Sequence, residues 1–397
     1  MKKAYKTELA PNNKQITAMC QHVGAARWAY NWGLEKIQQA SAKGEKWPNA
    51  IELSRELNKL KGTDALPWGY TVSKCAFQES LRNLQSAIDN LRASKKGQRK
   101  GAPMRFPRRK TRKNGLGSCR FVGIIKVFDG CIQLPRLGVL RLKEQNYLPT
   151  DKHITQATIS ERAGRWFVSV LVSEEIPAQE PARGEVLGID VGIKILATCS
   201  DGETYANPKT LAAKIKRLRR WQRKLSRRTK GSKNRKKARQ KIAQLYMRVT
   251  NARQDAHNKA AHAIIAKRPS VIVIEDLNVK GMLKNRRLSL ALSDAALGQF
   301  GRILTYMAKY AGVTVIKARR FFASSKTCSC CGWKNECMTL SDRVFVCQAC
   351  GHTLDRDLNA AINLRNTVSS TEINACGDRV SPGGNTQAVI NEAGIRP

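Results

Sequence analysis

The sequence predicts a multidomain α/β protein that also carries a small β-barrel and a four-cysteine metal knuckle. Three observations predict it. In the second half, short buried-type strands at 186–189 and 271–274 alternate with helical stretches, the pattern of an α/β sheet. Between 119 and 175, the turns Asp129-Gly130, Pro135-Arg-Leu-Gly138 and Ala163-Gly164 separate short apolar runs, so three hairpins fall in under sixty residues. Near the C-terminus, Cys328-Ser-Cys-Cys331 and Cys347-Gln-Ala-Cys350 stand fifteen residues apart.

Composition narrows the function. The 397 residues carry 72 Lys and Arg against 30 Asp and Glu, a formal charge of +42, and 42% apolar residues suffice for a substantial core. A polyanion is the partner that offsets such repulsion, so nucleic acid is expected and a small-molecule enzyme is disfavoured. No apolar run approaches the roughly 18–20 residues a membrane helix needs. Met1-Lys-Lys-Ala-Tyr-Lys6 is basic but lacks the apolar stretch of a secretory signal, so a cytoplasmic location is expected.

Along the chain, residues 3–9 alternate like a strand, and Pro11-Asn12-Asn13 opens a helix with Ile16, Met19, Val23, Ala26 and Tyr30 at helical spacing. A second helix spans about 71–93, with Phe77, Leu81, Leu84, Ile88 and Leu91 on one face. Lys95 to Lys113 holds ten basic residues and no acid, and reads as a mobile basic loop. The hairpins then suggest a small barrel, and barrels of the oligonucleotide-binding kind are common nucleic-acid platforms; 177–184 reads as a linker. The strand at 186–189 ends at Asp190. Lys214 to Lys241 packs sixteen Lys and Arg into 28 residues yet keeps an apolar stripe (Ile215, Leu218, Leu225, Ile242, Leu245, Val249), which predicts a helical hairpin turning at 229–234. No acid occurs from 204 to 254 to offset its charge, so phosphate contact is the better reading of its outer faces. Pro269 ends a further helix, 271–274 runs into Glu275-Asp276, 294–311 is amphipathic, 313–316 is a strand, and a last helix starts at Asp357. Beyond 367 little order is expected.

Two paired knuckles, each followed by a glycine (Gly332, Gly351), are the arrangement of one four-thiolate zinc site, with Cys328, Cys331, Cys347 and Cys350 as ligands. Cys330 and Cys337 are out of register. Asp190 and Glu275 end buried strands, the edge where α/β sheets bind ligands, and Asp357 could complete a three-carboxylate cluster. Such a cluster suits two Mg²⁺ ions, one activating water and the other stabilising the leaving oxygen. The alternatives on spacing alone are a turn acid at Asp190 and a helix-cap pair at Glu275-Asp276.

Four motifs carry a family resemblance. Gly188-Ile-Asp190-Val-Gly-Ile, Val273-Ile-Glu275-Asp-Leu-Asn-Val-Lys-Gly-Met, Ser324-Ser-Lys-Thr-Cys328-Ser-Cys-Cys331-Gly-Trp and Asp355-Arg-Asp357-Leu-Asn-Ala-Ala-Ile-Asn resemble the TnpB transposon-encoded nucleases, compact relatives of type V CRISPR effectors. The match covers about 186–366; the front half agrees through Lys3-Ala-Tyr-Lys6, Tyr30-Asn-Trp32 and the basic stretch at 101–107. The resemblance implies an RNase H-like (RuvC) nuclease domain at 181–326 and 352–366 with a zinc ribbon inserted at 327–351. It also implies a wedge-type, OB-like barrel at 1–12 and 114–180, a helical recognition insertion at 13–113, and a tail at 367–397. Matching positions make Asp190, Glu275 and Asp357 the metal-binding triad and Asp355 a helix-capping acid. The implied partners are a transposon-end guide RNA and a DNA target, double- and single-stranded, and the implied location is the prokaryotic cytoplasm, at the nucleoid when on DNA. Lys74 and Gln78 resemble the position relatives use to read a target-adjacent motif; an ordinary exposed helix face is the alternative. The expected activity is RNA-guided, Mg²⁺-dependent cleavage of DNA at one RuvC site. The rivals are an unguided nuclease of the same fold, disfavoured by the basic front half, and a guided or accessory DNA binder that does not cut, disfavoured by the complete triad.

Overall fold

The computed structural model describes residues 2–99, 101–112, 115–174, 182–320, 322–339, 341–369, 372–373 and 379–380. The chain divides into two compact units, 1–176 with 230–244, and 177–229 with 245–397.

The first unit opens with β1 (Lys2–Glu8) and continues into three helices, α1 (Asn13–Ala42), α2 (Ala50–Leu60) and α3 (Lys74–Lys95). α1 starts at a reciprocal cap: the Gln15 N–H donates to Asn12 Oδ1 at 2.9 Å, and the Asn12 N–H donates to Gln15 Oε1 at 3.0 Å. Asn49 and Glu52 repeat the device on α2. α1 and α3 bury Ala26, Ala29 and Tyr30 with Phe77, Leu81, Leu84 and Ile88. Gly33 permits this approach, because a Cβ there would lie 2.7 Å from Leu81 Cδ2. His22 is structural: Nδ1 donates to the Ala18 carbonyl and Nε2 accepts from the Ser73 N–H, which fixes a neutral ring in a site where burial lowers its pKa.

Six strands follow: β2 (Ser118–Phe121), β3 (Lys126–Phe128), β4 (Cys131–Leu134), β5 (Gly138–Arg141), β6 (Ile154–Arg162) and β7 (Arg165–Ser173). All three expected hairpin turns are present. Ala163 and Gly164 both take positive φ (57° and 83°), as a two-residue hairpin turn demands. The strands assigned to a barrel form two antiparallel sheets, β1-β7-β6-β2 and β3-β4-β5, joined at one corner by the Leu9–Leu142 bridge.

The second unit begins with β8 (Leu187–Asp190), β9 (Ile195–Cys199) and β10 (Thr204–Ala206), followed by α4 (Thr210–Ser226) and by α5 (Lys233–Ala266), of which residues up to 244 belong to the first unit. The basic helical hairpin is therefore real, and its second arm runs unbroken to Ala266 instead of splitting into two helices. Then come β11 (Val271–Ile274), α6 (Val279–Met282), α7 (Ser289–Ala295), α8 (Leu297–Tyr310), β12 (Thr314–Lys317), β13 (Val344–Val346), β14 (Thr353–Asp355) and α9 (Arg356–Ser369). The amphipathic stretch expected at 294–311 is broken at Ala296, whose left-handed φ of 49° separates α7 from α8. Five strands form one mixed sheet in the order β10-β9-β8-β11-β12, with β8, β11 and β12 parallel and β9 and β10 antiparallel. Its core gathers Ile189, Leu196, Ile272, Phe300 and Leu304.

α4 has no acid in its first turn and no side-chain cap of its own, because Lys209 sits before it in the left-handed region. The cap comes from α7. Buried Asp294 accepts the N–H groups of Leu211 (2.8 Å) and Ala212 (2.9 Å), a favourable place for an anion at a helix N-terminus. The linker expected at 177–184 and the tail expected at 367–397 fall largely outside the described residues, although α9 continues to Ser369 within the latter.

Candidate active site

Register brings the first two acids together. β8 and β11 are parallel, with Ile189 opposite Ile274, so Asp190 at the end of one strand and Glu275 just past the end of the other emerge side by side at one sheet edge. The third acid arrives on α9. That helix lies directly against β8 because Gly188 has no side chain: a Cβ there would fall 1.9 Å from the Ala361 carbonyl oxygen and 2.5 Å from the Arg365 nitrogen. Ala360 and Ala361, both fully buried, keep the facing side of the helix equally thin. Asp357 sits in the first turn of α9, and Asp355 caps that turn, accepting the N–H groups of Asp357 (2.9 Å) and Leu358 (3.1 Å).

The electrostatics follow. Burial, and then the charges of Glu275, Asp357 and Asp355, push Asp190 up to about 8, with Arg356 opposing. At neutral pH, without a cation, this carboxyl holds a proton. Asp357 is paired with the Arg356 guanidinium at 3.2 Å, and Glu275 Oε1 accepts the Ser324 hydroxyl at 2.7 Å. Asp276 does not cap a helix. It is engaged by Arg320 Nε (2.9 Å) and Nη2 (2.6 Å), and the cap of α6 is Asn278. A cleft of about 210 Å³ beside Glu275 is lined by Asp276, Met282, Arg319, Arg320 and Phe322. Three hard carboxylates on three separate elements, one of them protonated by its neighbours, fit a divalent cation such as Mg²⁺, whose charge would take the proton's place.

The four thiols are gathered more tightly. The sulfurs of Cys328, Cys331, Cys347 and Cys350 all lie within 4.8 Å of one another, and among the described residues they are the one such group of metal-ligating atoms. The three carboxylates are spaced more loosely. The Cys328–Cys350 and Cys331–Cys347 separations of 3.7 and 3.5 Å are close to the edge of about 3.8 Å that a tetrahedron with ~2.3 Å zinc–sulfur bonds requires. Burial raises Cys347, but the backbone N–H groups of Cys350 and Ala349 and the neighbouring thiols outweigh it and bring it to about 7, so a thiolate is accessible. The donor set fits zinc. Cys330 and Cys337 stay outside it, exposed.

Lys74 is the exposed first residue of α3 and Gln78, half-buried, lies one turn on, so the two share a helix face in the first unit. On α4, Lys216, Arg217, Arg219, Arg220, Arg223 and Lys224 are exposed, and among the described residues none forms an ion pair; Lys224 lies over the Trp221 ring at 5.0 Å. Sequence reading missed Ser324, Asn359 and Asn363, all buried polar residues around the acids. The Asn-x-x-x-Asn spacing on an otherwise apolar helix face was the available signal.

A mixed sheet with acids gathered at one edge, closed by a helix that follows a four-cysteine knuckle, defines an α/β protein with two candidate metal-ligand sets. Comparison with known proteins gives the family. Residues 167–286 match the family model "Probable transposase" (OrfB_IS605), 298–364 match "Cas12f1-like, TNB domain", and 1–46 match "Helix-turn-helix domain". The last stretch folds here as β1 and the single unbroken helix α1. A Streptomyces pristinaespiralis protein named "Putative RNA-guided DNA endonuclease" is 35% identical over 386 residues, covering 96% of this chain and 92% of its own. "Putative RNA-guided DNA endonuclease InsQ" of Escherichia coli K12 is 29% identical over 397 residues, with 96% and 95% covered. The solved structure of the mini-RNA-guided endonuclease CRISPR-Cas_phi3 shares the fold at a TM-score of 0.51 and 10% identity, over 93% of this chain and 92% of its own. The chain belongs to the TnpB family.

Proposed function

We propose that this protein is an RNA-guided DNA endonuclease that hydrolyses phosphodiesters at a single RuvC-type site formed by Asp190, Glu275 and Asp357. The observation that carries the reading is the Asp190 carboxyl, driven up to about 8 by burial and by two acids brought to it from β11 and α9. A charged structural pair would not be assembled so; a cation site would. The three carboxylates would hold Mg²⁺, which when bound supplies an activated water and charge stabilisation at the leaving oxygen. The chain's own residues do the rest. Asp190 gives up its proton before it can ligate. Arg356 balances Asp357, and Ser324 fixes the rotamer of Glu275.

Guide RNA and DNA are the partners this reading takes from the family and from the +42 charge. The unpaired cations of α4 are phosphate-binding groups, and Lys74 with Gln78 is the pair assigned to the target-adjacent motif. Zinc on the four cysteines is structural.

The test is to express the gene with its own downstream flank, purify in moderate salt and sequence the co-purifying nucleic acid, then assay duplex cleavage with Mg²⁺. One discrete RNA with a structured body and a variable end, together with cleavage directed by that end, is expected. A random mixture that washes off as salt rises would replace this reading with an unguided nuclease.

A further inference from the structure

The carboxylate site and the thiol knuckle are joined by a short chain of hydrogen bonds made by three buried polar side chains, Ser324, Asn359 and Asn363. It starts at Ser324, only 2% exposed, whose hydroxyl donates to Glu275 Oε1 at 2.7 Å. The Ser324 carbonyl accepts from Asn363 Nδ2 at 2.8 Å, and the same amide donates to the Thr327 carbonyl at 2.6 Å, which spends both of its N–H bonds on one segment. One turn earlier, Asn359 is fully buried and grips both sides of a zinc-type ligand. Its Nδ2 donates to Thr327 O at 2.7 Å and its Oδ1 accepts the Ser329 N–H at 3.0 Å, so the peptide groups flanking Cys328 are both held by one side chain. Asn359 stands two residues after Asp357 on α9.

We infer that Ser324 is a positioning residue for the Glu275 carboxylate, and that Asn359 and Asn363 tie that position to the cysteine knuckle, so that an ordered knuckle sets the geometry of the divalent-metal site. The inference rests on the proposed cation site. Its physical basis is that buried polar groups are kept where they find partners, and here the bonds run from Glu275 through Ser324 and Asn363 to the peptide groups flanking Cys328. The hydroxyl takes one lone pair of Oε1 and leaves the second oxygen of Glu275 to a cation. It also restrains rotation of the carboxylate beside Asp190. Carboxylate ligands held in this way lose roughly 10–100-fold in metal affinity when the outer partner is removed.

The experiment uses the full-length, zinc-loaded protein and two variants, Ser324→Ala and Asn363→Ala. Mn²⁺ binding is followed by calorimetry without nucleic acid, and the Mg²⁺ concentration at half-maximal rate is read from cleavage; zinc content and melting temperature are measured alongside. Ser324→Ala is expected to weaken Mn²⁺ binding and raise half-saturating Mg²⁺, each by about 10-fold, with the maximal rate regained at high Mg²⁺ and one zinc per chain kept. Asn363→Ala is expected to shift both in the same direction by less. Unchanged metal dependence in Ser324→Ala, even with a lower melting temperature, would show a merely structural hydroxyl and overturn the inference. A shift in Ser324→Ala with none in Asn363→Ala would overturn the tie to the knuckle. Failure of the wild-type protein itself to bind Mn²⁺ would bring down the cation-site reading, and this inference with it.

Discussion

The four cysteines and the three candidate metal-binding acids of the second unit are assembled on different physical terms. The Cys328–Cys350 and Cys331–Cys347 sulfur pairs already stand near the tetrahedral-edge distance, because thiols pack as small apolar groups and cluster at far less Coulomb cost than carboxylates. The three carboxylates cannot approach in that way. Each brings a full charge into a partly buried site, so Asp190 is protonated, Asp357 leans on Arg356 and Glu275 on Ser324. A soft-ligand site can be preformed by packing. A hard-ligand site must be held together against its own repulsion by partners of opposite charge or by hydrogen-bond donors.

This contrast can be broken most sharply at Asp190. Asp190→Ala should lower cleavage by at least about 10³-fold in a duplex-cleavage assay, while filter binding of RNA and DNA is retained. Residual cutting at near wild-type rate would remove Asp190 from the site. Next in size is the knuckle. Cys350→Ser should lose the bound zinc and lower the melting of the second unit, because metal binding and folding are coupled there; calorimetry with and without a chelator reads this, and coincident traces would dissociate the sulfurs from any structural metal. Gly188→Ala should cost at least roughly 1–3 kcal/mol, since the new methyl meets backbone of α9 and not a side chain that can swing aside. It should lower cleavage as well, because α9 carries Asp357. Denaturant titration and cleavage rate together test that coupling.

A smaller effect isolates the electrostatics. In metal-free protein the folded pKa of Asp190 lies well above its unfolded value, near 4, so its protonated form favours folding and its ionised form opposes it. The penalty is therefore absent below about pH 4, grows as pH rises, and is complete above the folded value of about 8. Asp190→Asn should consequently be more stable than wild type at pH 8 and above, by at least about 2–4 °C in melting temperature, with the difference fading as pH falls toward 4. Melting curves of both proteins in a chelating buffer test the sign. The smallest expected effect is Asp294→Ala, which uncaps α4 at a cost of about 1 kcal/mol.

Much of this arrangement was legible from local pattern. The turn dipeptides placed the hairpins, because the backbone conformations they need are restricted to few residues. Cysteine spacing placed the knuckle, and the acids that end β8 and β11 stood out in a chain so poor in acids. What local pattern could not carry was anything contributed from far along the chain. The break at Ala296 has no glycine or proline to announce it, and Asp294 caps a helix that begins 84 residues before it. The two sheets of the first unit share one core and are linked along the backbone by the Leu9–Leu142 bridge, which no alternation of residues encodes. Gly188 reads as an ordinary strand glycine until α9 is seen lying on it. Ser324, Asn359 and Asn363 are polar residues of the kind that sequence reading assigns to the surface.

The chain path through the knuckle has one more consequence. It departs at Ser324–Ser329, strapped to the middle of α9 by Asn359 and Asn363, and returns through β14 straight into the first residue of the same helix. Departure and return thus lie within about two turns of one helix. The stretch between Cys331 and Cys347 is closed at its ends by its own sulfurs, and β13 at its far end pairs with β14 on the return path. It is a cassette with adjacent ends: it can lengthen, shorten or accept a foreign segment between its arms without changing the span that α9 must bridge, and a fluorescent or affinity label placed near Thr339 would ride on it.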